Sequence, residues 1–535
     1  LVSGSGPSTF ALRSTPALDE EMVVLEEVVI VGGGTAGWMT ASYLKVAFGD
    51  RITVTVVESA RIGAIGVGEA TFSTIRHFFD YLGLEEHEWM PSCCATYKLG
   101  IRFQDWRRPG HHFYHPFERQ RVVDGFGLTD WWLDNPRSDS FDRDCFLIGT
   151  LCDNNKSPRR LDGSLFMGTD GEDTAYRTTL SEQDTQFPYA YHFDASLLAD
   201  FLRDFAVRRG VRHVVDDVVD VLQDDRGWIS EVRTRAHGSI EGDLFIDCTG
   251  FSGLLLGRAM GEPFESYQGS LLNDRAVALR VPTDQNGGHL PPYTTATAQD
   301  AGWIWSIPLF DRIGTGYVYA EDYCSPEDAE RALRNFVGPA AEGLEANHIR
   351  MRIGRSRRSW VGNCVAIGLA SGFVEPLEST GIFFIQHGIE QLVKHFPDEN
   401  WEESLRDSYN RVINRCMDGV REFLVLHYYL AARVDTQYWR DTKSVQLPAA
   451  LAERIEHWRS KLPDAGSVYP HYHGFEPYSY VCMFVGLGGI PARPSTVVRY
   501  LDATRAQREF DLLAQQASRL RHSLPTHREY LAQMY

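Results

Sequence analysis

The strongest constraint on this chain is a glycine pattern close to its start. An apolar run at 28–31 leads into Gly32, Gly34 and Gly37, which spell G-x-G-x-x-G, and a helical run follows at 38–48. These residue types suit a tight strand-to-helix turn around a pyrophosphate. The first glycine makes the turn, the second lets backbone approach the phosphates, and the third lets the helix lie against the strand. Thr35 and Ala36 fall at the helix start, where unpaired backbone N–H groups favour an anion. A second strand at 52–57 ends on Glu58, 21 residues past Gly37, where a carboxylate can reach a ribose hydroxyl. Strand, helix and strand in this order commit the N-terminal part to an α/β fold that binds a dinucleotide.

The motif does not separate FAD from NAD. Two later segments repeat the strand-then-glycine pattern, 243–250 ending in Gly250 and 363–368 ending in Gly368. A lone NAD domain needs neither, so they favour FAD. The first of them resembles the second nucleotide-contacting strand of flavoprotein monooxygenases. Between about 100 and 360 strand-like runs alternate with loops, and from about 381 the pattern turns helical, most clearly at 409–433 and 449–461. The predicted organisation is a flexible extension at 1–21, a Rossmann-like FAD-binding core of the flavin monooxygenase type with an interleaved substrate sheet at 22–396, and a mainly helical subdomain at 397–535 closing the substrate pocket.

Charge and composition remove several classes. The 535 residues carry 53 Lys plus Arg against 72 Asp plus Glu, a formal net charge of −19. So acidic a chain fits neither nucleic acid nor anionic lipid. The apolar runs at 364–374 and 481–490 fall well short of the roughly 18 residues of a membrane span. The nine Cys form no C-x-x-C pair, which points to reduced thiols and a cytoplasmic location. Residues 1–21 lack the apolar centre of a signal peptide. His111, His112 and His115 crowd together, as do His471 and His473, with neither H-E-x-x-H nor a nearby Cys, so no metal site is expected.

Three further segments carry more specific information. The first is Thr96-Tyr97-Lys98-Leu99-Gly100. The second is the W-x-W-x-I-P run of Trp303, Trp305 and Pro308. The third is Glu375-Pro376-Leu377-Glu378-Ser379-Thr380-Gly381-Ile382. With these the chain resembles the flavin-dependent tryptophan halogenases from about 28 to about 397, and less tightly beyond. The resemblance implies that reduced FAD and O2 oxidise chloride or bromide to hypohalous acid. That oxidant would cross a tunnel walled by Trp303, Trp305 and Pro308 to Lys98, and electrophilic halogen would reach one indole carbon of L-tryptophan. Glu378 would take the ring proton or polarise the oxidant. No NAD(P)H site is apparent, which implies a separate flavin reductase as the source of FADH2, and a homodimer is an admissible assembly.

Taken on their own, these residues agree with such roles. A lysine amine in a closed site has a lowered pKa and becomes nucleophilic, whereas the plain alternative is a surface lysine with a snorkelling stem. Glu378 precedes an amphipathic helix that Ser379 or Thr380 can cap. The backbone N–H groups of Thr380 and Gly381 suit a chloride ion. Glu375, three residues back, is an alternative carboxylate.

An indole needs aromatic walls and a few placed polar groups. Phe72, Ser73, His115, Pro116 and Phe117 match positions that line the indole pocket in the resembled family. Gln183, Gln186, Tyr189, Phe475, Glu476 and Tyr478 match segments that grip the ammonium and carboxylate. Together they favour free L-tryptophan over a peptide. The segments at 130–133, 141–146 and 312–317 resemble tryptophan 6-halogenases more than 5-halogenases. C6 is therefore the expected ring position. C5, a peptide-bound or already chlorinated tryptophan, and flavin-dependent aromatic hydroxylation stand as alternatives.

Overall fold

The three strand-then-glycine segments are neighbours in one sheet. The computed structural model describes residues 25–61, 68–167, 189–283 and 289–535. Its six-stranded nucleotide sheet runs Arg212–Val215, Thr53–Glu58, Glu27–Val31, Leu244–Asp247, Cys364–Ala366, Trp360–Val361. The first five strands are parallel and the last is antiparallel. Val28, Val29, Ile30 and Val31 are all buried, as a strand covered on both faces requires. The helix Thr35–Phe48 covers one face, and the helices Ala195–Val207 and Gly381–Lys394 pack against it. Asp194 caps the first of these two by accepting from the N–H groups of Ser196 and Leu197.

A second sheet of seven strands forms the middle of the chain, in the order Asn347–Arg350, Arg275–Pro282, Arg312–Tyr319, Gly302–Pro308, Thr294–Gln299, Gly100–Gln104, His112–Pro116. All its pairings are antiparallel except that of Thr294–Gln299 with Gly100–Gln104. It carries both tryptophans of the W-x-W motif and, at its far edge, His115. A small antiparallel sheet of Glu69–Ala70, Ala190–Phe193 and Thr96–Lys98 carries Lys98.

Beyond 397 the chain is mainly helical. The long helix spans Glu403–Leu430, starting earlier than the predicted 409–433, and Ala449–Trp458 stops short of the predicted 461. The apolar run at 481–490 is explained by the helix Pro477–Leu487, whose residues from Tyr478 onward are all buried. A helix apolar all round belongs inside a protein. Among the described residues no helix is long and apolar enough to cross a membrane. One apolar cluster reaches from Val28 to Leu531, so these helices share a core with the nucleotide sheet. The end of the chain also braces the Lys98 strand. Tyr97 N–H donates to His527 Nε2 at 3.0 Å, and His527 Nδ1 donates to the Leu290 carbonyl at 3.2 Å.

Candidate active site

A cavity of about 680 Å³ opens at the carboxyl ends of the central parallel strands, where open α/β sheets bind ligands. Gly32, Gly34, Thr35, Ala36, Glu58, Gly250 and Gly368 all line it. Gly37 sits behind the turn. The glycines divide the labour as the motif requires. Gly32 has φ +113°, and a Cβ there would lie 2.3 Å from the Cys248 carbonyl oxygen. A Cβ on Gly37 would lie 1.9 Å from the Gly32 carbonyl oxygen. A Cβ on Gly34 would meet nothing within 4 Å and would point into open space. That space beside a helix N-terminus is a fit for a pyrophosphate. At Gly33, which the motif leaves free, a Cβ would meet the Glu58 side chain at 2.2 Å, a contact that the carboxyl can relieve by moving. The Glu58 carboxylate in turn lies 2.8 Å from His213 Nε2.

Trp303, Trp305 and Ile307 form another part of the same cavity wall. Alternation along Gly302–Pro308 puts all three side chains on one face. Trp305 lies over Gly316 on the paired strand, where a Cβ would meet its ring at 2.2 Å. Trp303 donates from Nε1 to Glu375 Oε2 at 3.0 Å. The same oxygen accepts from Asn273 Nδ2 at 2.7 Å and Tyr428 Oη at 2.5 Å. Burial raises the Glu375 pKa, and these three neutral donors only moderate it. Pro308 ends the strand, and its carbonyl accepts from Thr96 Oγ1 at 2.6 Å. That bond ties the tryptophan strand to the Lys98 strand.

Lys98 is fully buried. Its amine donates to the Thr71 carbonyl at 2.9 Å and to Ser379 Oγ at 2.8 Å, and it lies 5.0 Å from the Phe117 ring centre. Neither hydrogen-bond partner is a carboxylate. Burial lowers its pKa to about 7, against the raising pull of Glu378. Ser379 thus touches both parts of the site, lining the cavity on one side and holding Lys98 on the other. It does so from a left-handed backbone position, φ +61°. The expected cap is not made by either candidate. The Ser379 hydroxyl is taken by Lys98, and Thr380, at the N-cap of Gly381–Lys394, makes no side-chain bond to the helix. Gly381 lines the cavity, and a Cβ there would meet nothing within 4 Å.

Glu378 is also buried. His115 Nδ1 lies 3.1 and 3.0 Å from its two oxygens, and His427 Nε2 lies 2.7 Å from Oε1. Burial alone would raise its pKa. The charge and hydrogen bond of His115 and the hydrogen bond of His427 outweigh that and hold it at about 2. Glu378 is therefore an ionised base, whereas Glu375 is pushed the other way.

Rings gather around this pair. Phe72 packs within 6 Å of Phe117, Phe383 and Phe475, and His115 faces both Phe475 and Tyr478. Ser73 is buried beside Phe72, and Pro116 pairs with Gly100 across the strands that carry His115. Glu476 accepts from Arg119, with Nε at 2.6 Å. Tyr189 is not brought to the chamber. It packs against Tyr97, which alternates with Lys98 along its strand and faces the other way, and its hydroxyl is committed to Glu86 at 2.8 Å and Arg159 at 2.7 Å. Gln183 and Gln186 lie outside the described residues. Thr71, His427 and Asn273 were not singled out from sequence. Each comes from a separate element and carries no local motif, so only the folded arrangement reveals it.

Comparisons with known proteins give the chain's family. The family model for tryptophan halogenases matches residues 27–503. The chain is 63% identical over 513 residues to tryptophan 6-halogenase SttH of Streptomyces toxytricini, covering 95% of this chain and 98% of that protein. The crystal structure of that relative superposes with a TM-score of 0.91 at 62% identity, covering 95% of this chain and 99% of that one. The 7-chloro-L-tryptophan 6-halogenase KtzR of Kutzneria sp. (strain 744) is 62% identical over 95% of this chain and 99% of its own length. The structure of Tar14, a tryptophan C-6 flavin-dependent halogenase from taromycin biosynthesis, matches with a TM-score of 0.91 and 61% identity over 95% of this chain and 99% of that one. This chain belongs to the tryptophan halogenase family.

Proposed function

We propose that this protein uses FADH2, O2 and chloride or bromide to halogenate the indole ring of free L-tryptophan at C6. The observation that carries the reading is Lys98, a fully buried amine without a carboxylate partner, joined through Ser379 to a nucleotide-sized cavity. An aromatic hydroxylase has no use for such a lysine. The C6 assignment is supported by three relatives at 61–63% identity whose names all specify that carbon.

Bound FAD, once reduced by a separate reductase, supplies with O2 the oxidising equivalent that converts halide to hypohalous acid. The chain's own residues do the rest. Gly32, Gly34 and Gly37 shape the pyrophosphate turn, with Thr35 and Ala36 at the helix start, Glu58 on the ribose side, and Gly250 and Gly368 at the adjacent strand ends. The Thr380–Gly381 backbone is the chloride position. Trp303 and Trp305 wall the cavity and keep the indole from the flavin. Lys98 hydrogen-bonds the small oxidant or carries its halogen as a chloramine. Phe72, His115, Pro116, Phe117, Phe475 and Tyr478 hold the indole. The Glu378 carboxylate accepts the proton released when the ring carbon takes the halogen.

The test is one incubation of the protein with L-tryptophan, FAD, a flavin reductase, NADH, O2 and chloride, with a parallel sample lacking halide. A monochlorinated product assigned to C6 by proton NMR supports the reading, and an oxygenated product formed without halide overturns it. The similarity to KtzR favours one second reading, that the preferred substrate already carries chlorine at C7. Equimolar competition between L-tryptophan and 7-chloro-L-tryptophan separates the two.

A further inference from the structure

Behind Glu378 stands a histidine whose two nitrogens both face oxygen acceptors. His427, on the helix Glu403–Leu430, is fully buried. Its Nδ1 lies 2.7 Å from the Phe423 carbonyl oxygen, one helical turn back, and a carbonyl can only accept, so Nδ1 carries a proton. Its Nε2 lies 2.7 Å from Glu378 Oε1. With Glu378 ionised, Nε2 must also donate, and the ring then carries two protons and a full positive charge. The second histidine on the carboxylate differs. His115 donates from Nδ1 to Glu378, while its Nε2 has no hydrogen-bond partner, so no acceptor on the far side of the ring fixes it as His427 is fixed.

The consequence falls on Lys98, whose donors go to the Thr71 carbonyl and Ser379 Oγ. The charged or titratable groups around it are Glu378 and, on the far side, His192. His192 is a neutral ring held by Thr96 and Thr294 and kept uncharged by burial. Around His427 the titratable groups are Glu378, Glu375 and His115. An uncompensated Glu378 carboxylate would draw a proton onto the lysine, and a protonated amine has no lone pair for a halogen. We propose that His427 is a positioning residue for Lys98: as an imidazolium fixed between the Phe423 carbonyl and Glu378, it offsets the carboxylate's charge and so weakens its pull on the lysine's proton, helping burial to keep the lysine a free amine. The inference rests on the reading of Lys98 as the residue that receives the oxidant and deepens it.

The test reads the lysine directly, so it does not depend on halogenation. The chain has six lysines. Protein labelled with ε-13C lysine and loaded with oxidised FAD gives a countable set of signals, and the Lys98 signal is the one lost in Lys98→Met. In the parent it titrates near neutrality. In His427→Gln the midpoint should rise by about one pH unit or more, the effect of an unbalanced neighbouring carboxylate; an unchanged midpoint overturns the inference. Glu378→Gln gives a second route if the first variant does not fold. With the carboxylate's pull offset by the histidine, the Lys98 midpoint should fall by well under one unit, whereas a fall of about one unit or more means that the carboxylate acts unbalanced and overturns it. Failure of the functional reading appears elsewhere, as chlorotryptophan formed by Lys98→Met.

Discussion

Replacing Lys98 by methionine keeps the length of the side chain and removes the amine, so it should abolish halogenation and at the same time stabilise the fold. The lysine titrates at about 7 in the folded protein against an ordinary 10.5, chiefly because it is buried. Below about pH 7 the amine is charged in both folded and unfolded chains, and the full penalty of burying it applies. Above 10.5 it is neutral in both, and the penalty is gone. Between these limits the unfolded chain binds more protons, so stability rises with pH. The gap corresponds to about 4 kcal/mol at pH 7 and about 2 kcal/mol at pH 9. Methionine recovers that energy but leaves the Thr71 carbonyl and the Ser379 hydroxyl without their donor, a loss of about 1–3 kcal/mol. The variant should therefore be more stable by about 1–3 kcal/mol at pH 7 and roughly equal to the parent at pH 9. At about 2 cal/mol/K per residue, a chain of this length shifts its unfolding midpoint by about 1 °C per kcal/mol. Thermal melts of both proteins at the two pH values, each with saturating FAD, supply the measurement. A midpoint difference that is constant with pH, or that grows toward pH 9, would refute the idea that the buried amine is being held neutral.

Four further outcomes are expected. Gly34→Val should abolish flavin binding in a fluorescence titration without lowering the melting point of the FAD-free protein, because its side chain projects into open cavity. Gly37→Ala should instead lower the melting point, since its Cβ would sit 1.9 Å from a backbone oxygen. Glu378→Gln should cut turnover by about 10²–10⁴, the usual contribution of a positioned base, as measured by chlorotryptophan formed per minute; a near-normal rate would move the base to Glu375. The pH profile of kcat/KM should fall about tenfold per unit below about pH 7 as Lys98 takes up a proton, with no inflection from Glu378 at mildly acidic pH because that carboxyl is held at about 2. A rate that stays flat to about pH 5 would count against a free amine as the reactive form.

What the sequence made legible was local chemistry. The turn at Gly32, Gly34 and Gly37 is encoded by contacts within a few residues and one neighbouring strand, so motif and structure coincide. The two later glycine segments were recognisable for the same reason, and parallel pairing sets Leu244–Asp247 beside the first strand and Cys364–Ala366 beside that one. The parts that escaped depend on distant partners. The cap expected from Ser379 fails because a lysine 281 positions away captures its hydroxyl. Tyr189 leaves the predicted pocket because it just precedes the strand Ala190–Phe193 and packs its ring on Tyr97, on the opposite face from Lys98. His427 looks like any histidine on an amphipathic helix until the fold sets its ring between Phe423 and Glu378.

The choice between the two carboxylates of the E-P-L-E segment shows how environment decides what spacing cannot. Glu375 and Glu378 are three residues apart, equally buried and chemically identical. Glu375 meets an indole N–H, an amide and a phenol, all neutral donors on one oxygen, which offset its burial only in part, and its visible effect is to fix the orientation of Trp303 on the cavity wall. Glu378 meets two histidines, one of them anchored to a backbone carbonyl, and stays ionised. A protein that releases one ring proton per turnover needs a carboxylate that is never already protonated, and a tunnel wall needs a rigid latch that does not compete for that proton. Pushing the two pKa values apart supplies both from one short segment. Trp303, latched by Glu375, stands in the cavity wall, and Ser379, in the left-handed region, both lines that cavity and accepts from Lys98, so it is the contact between the two parts of the site.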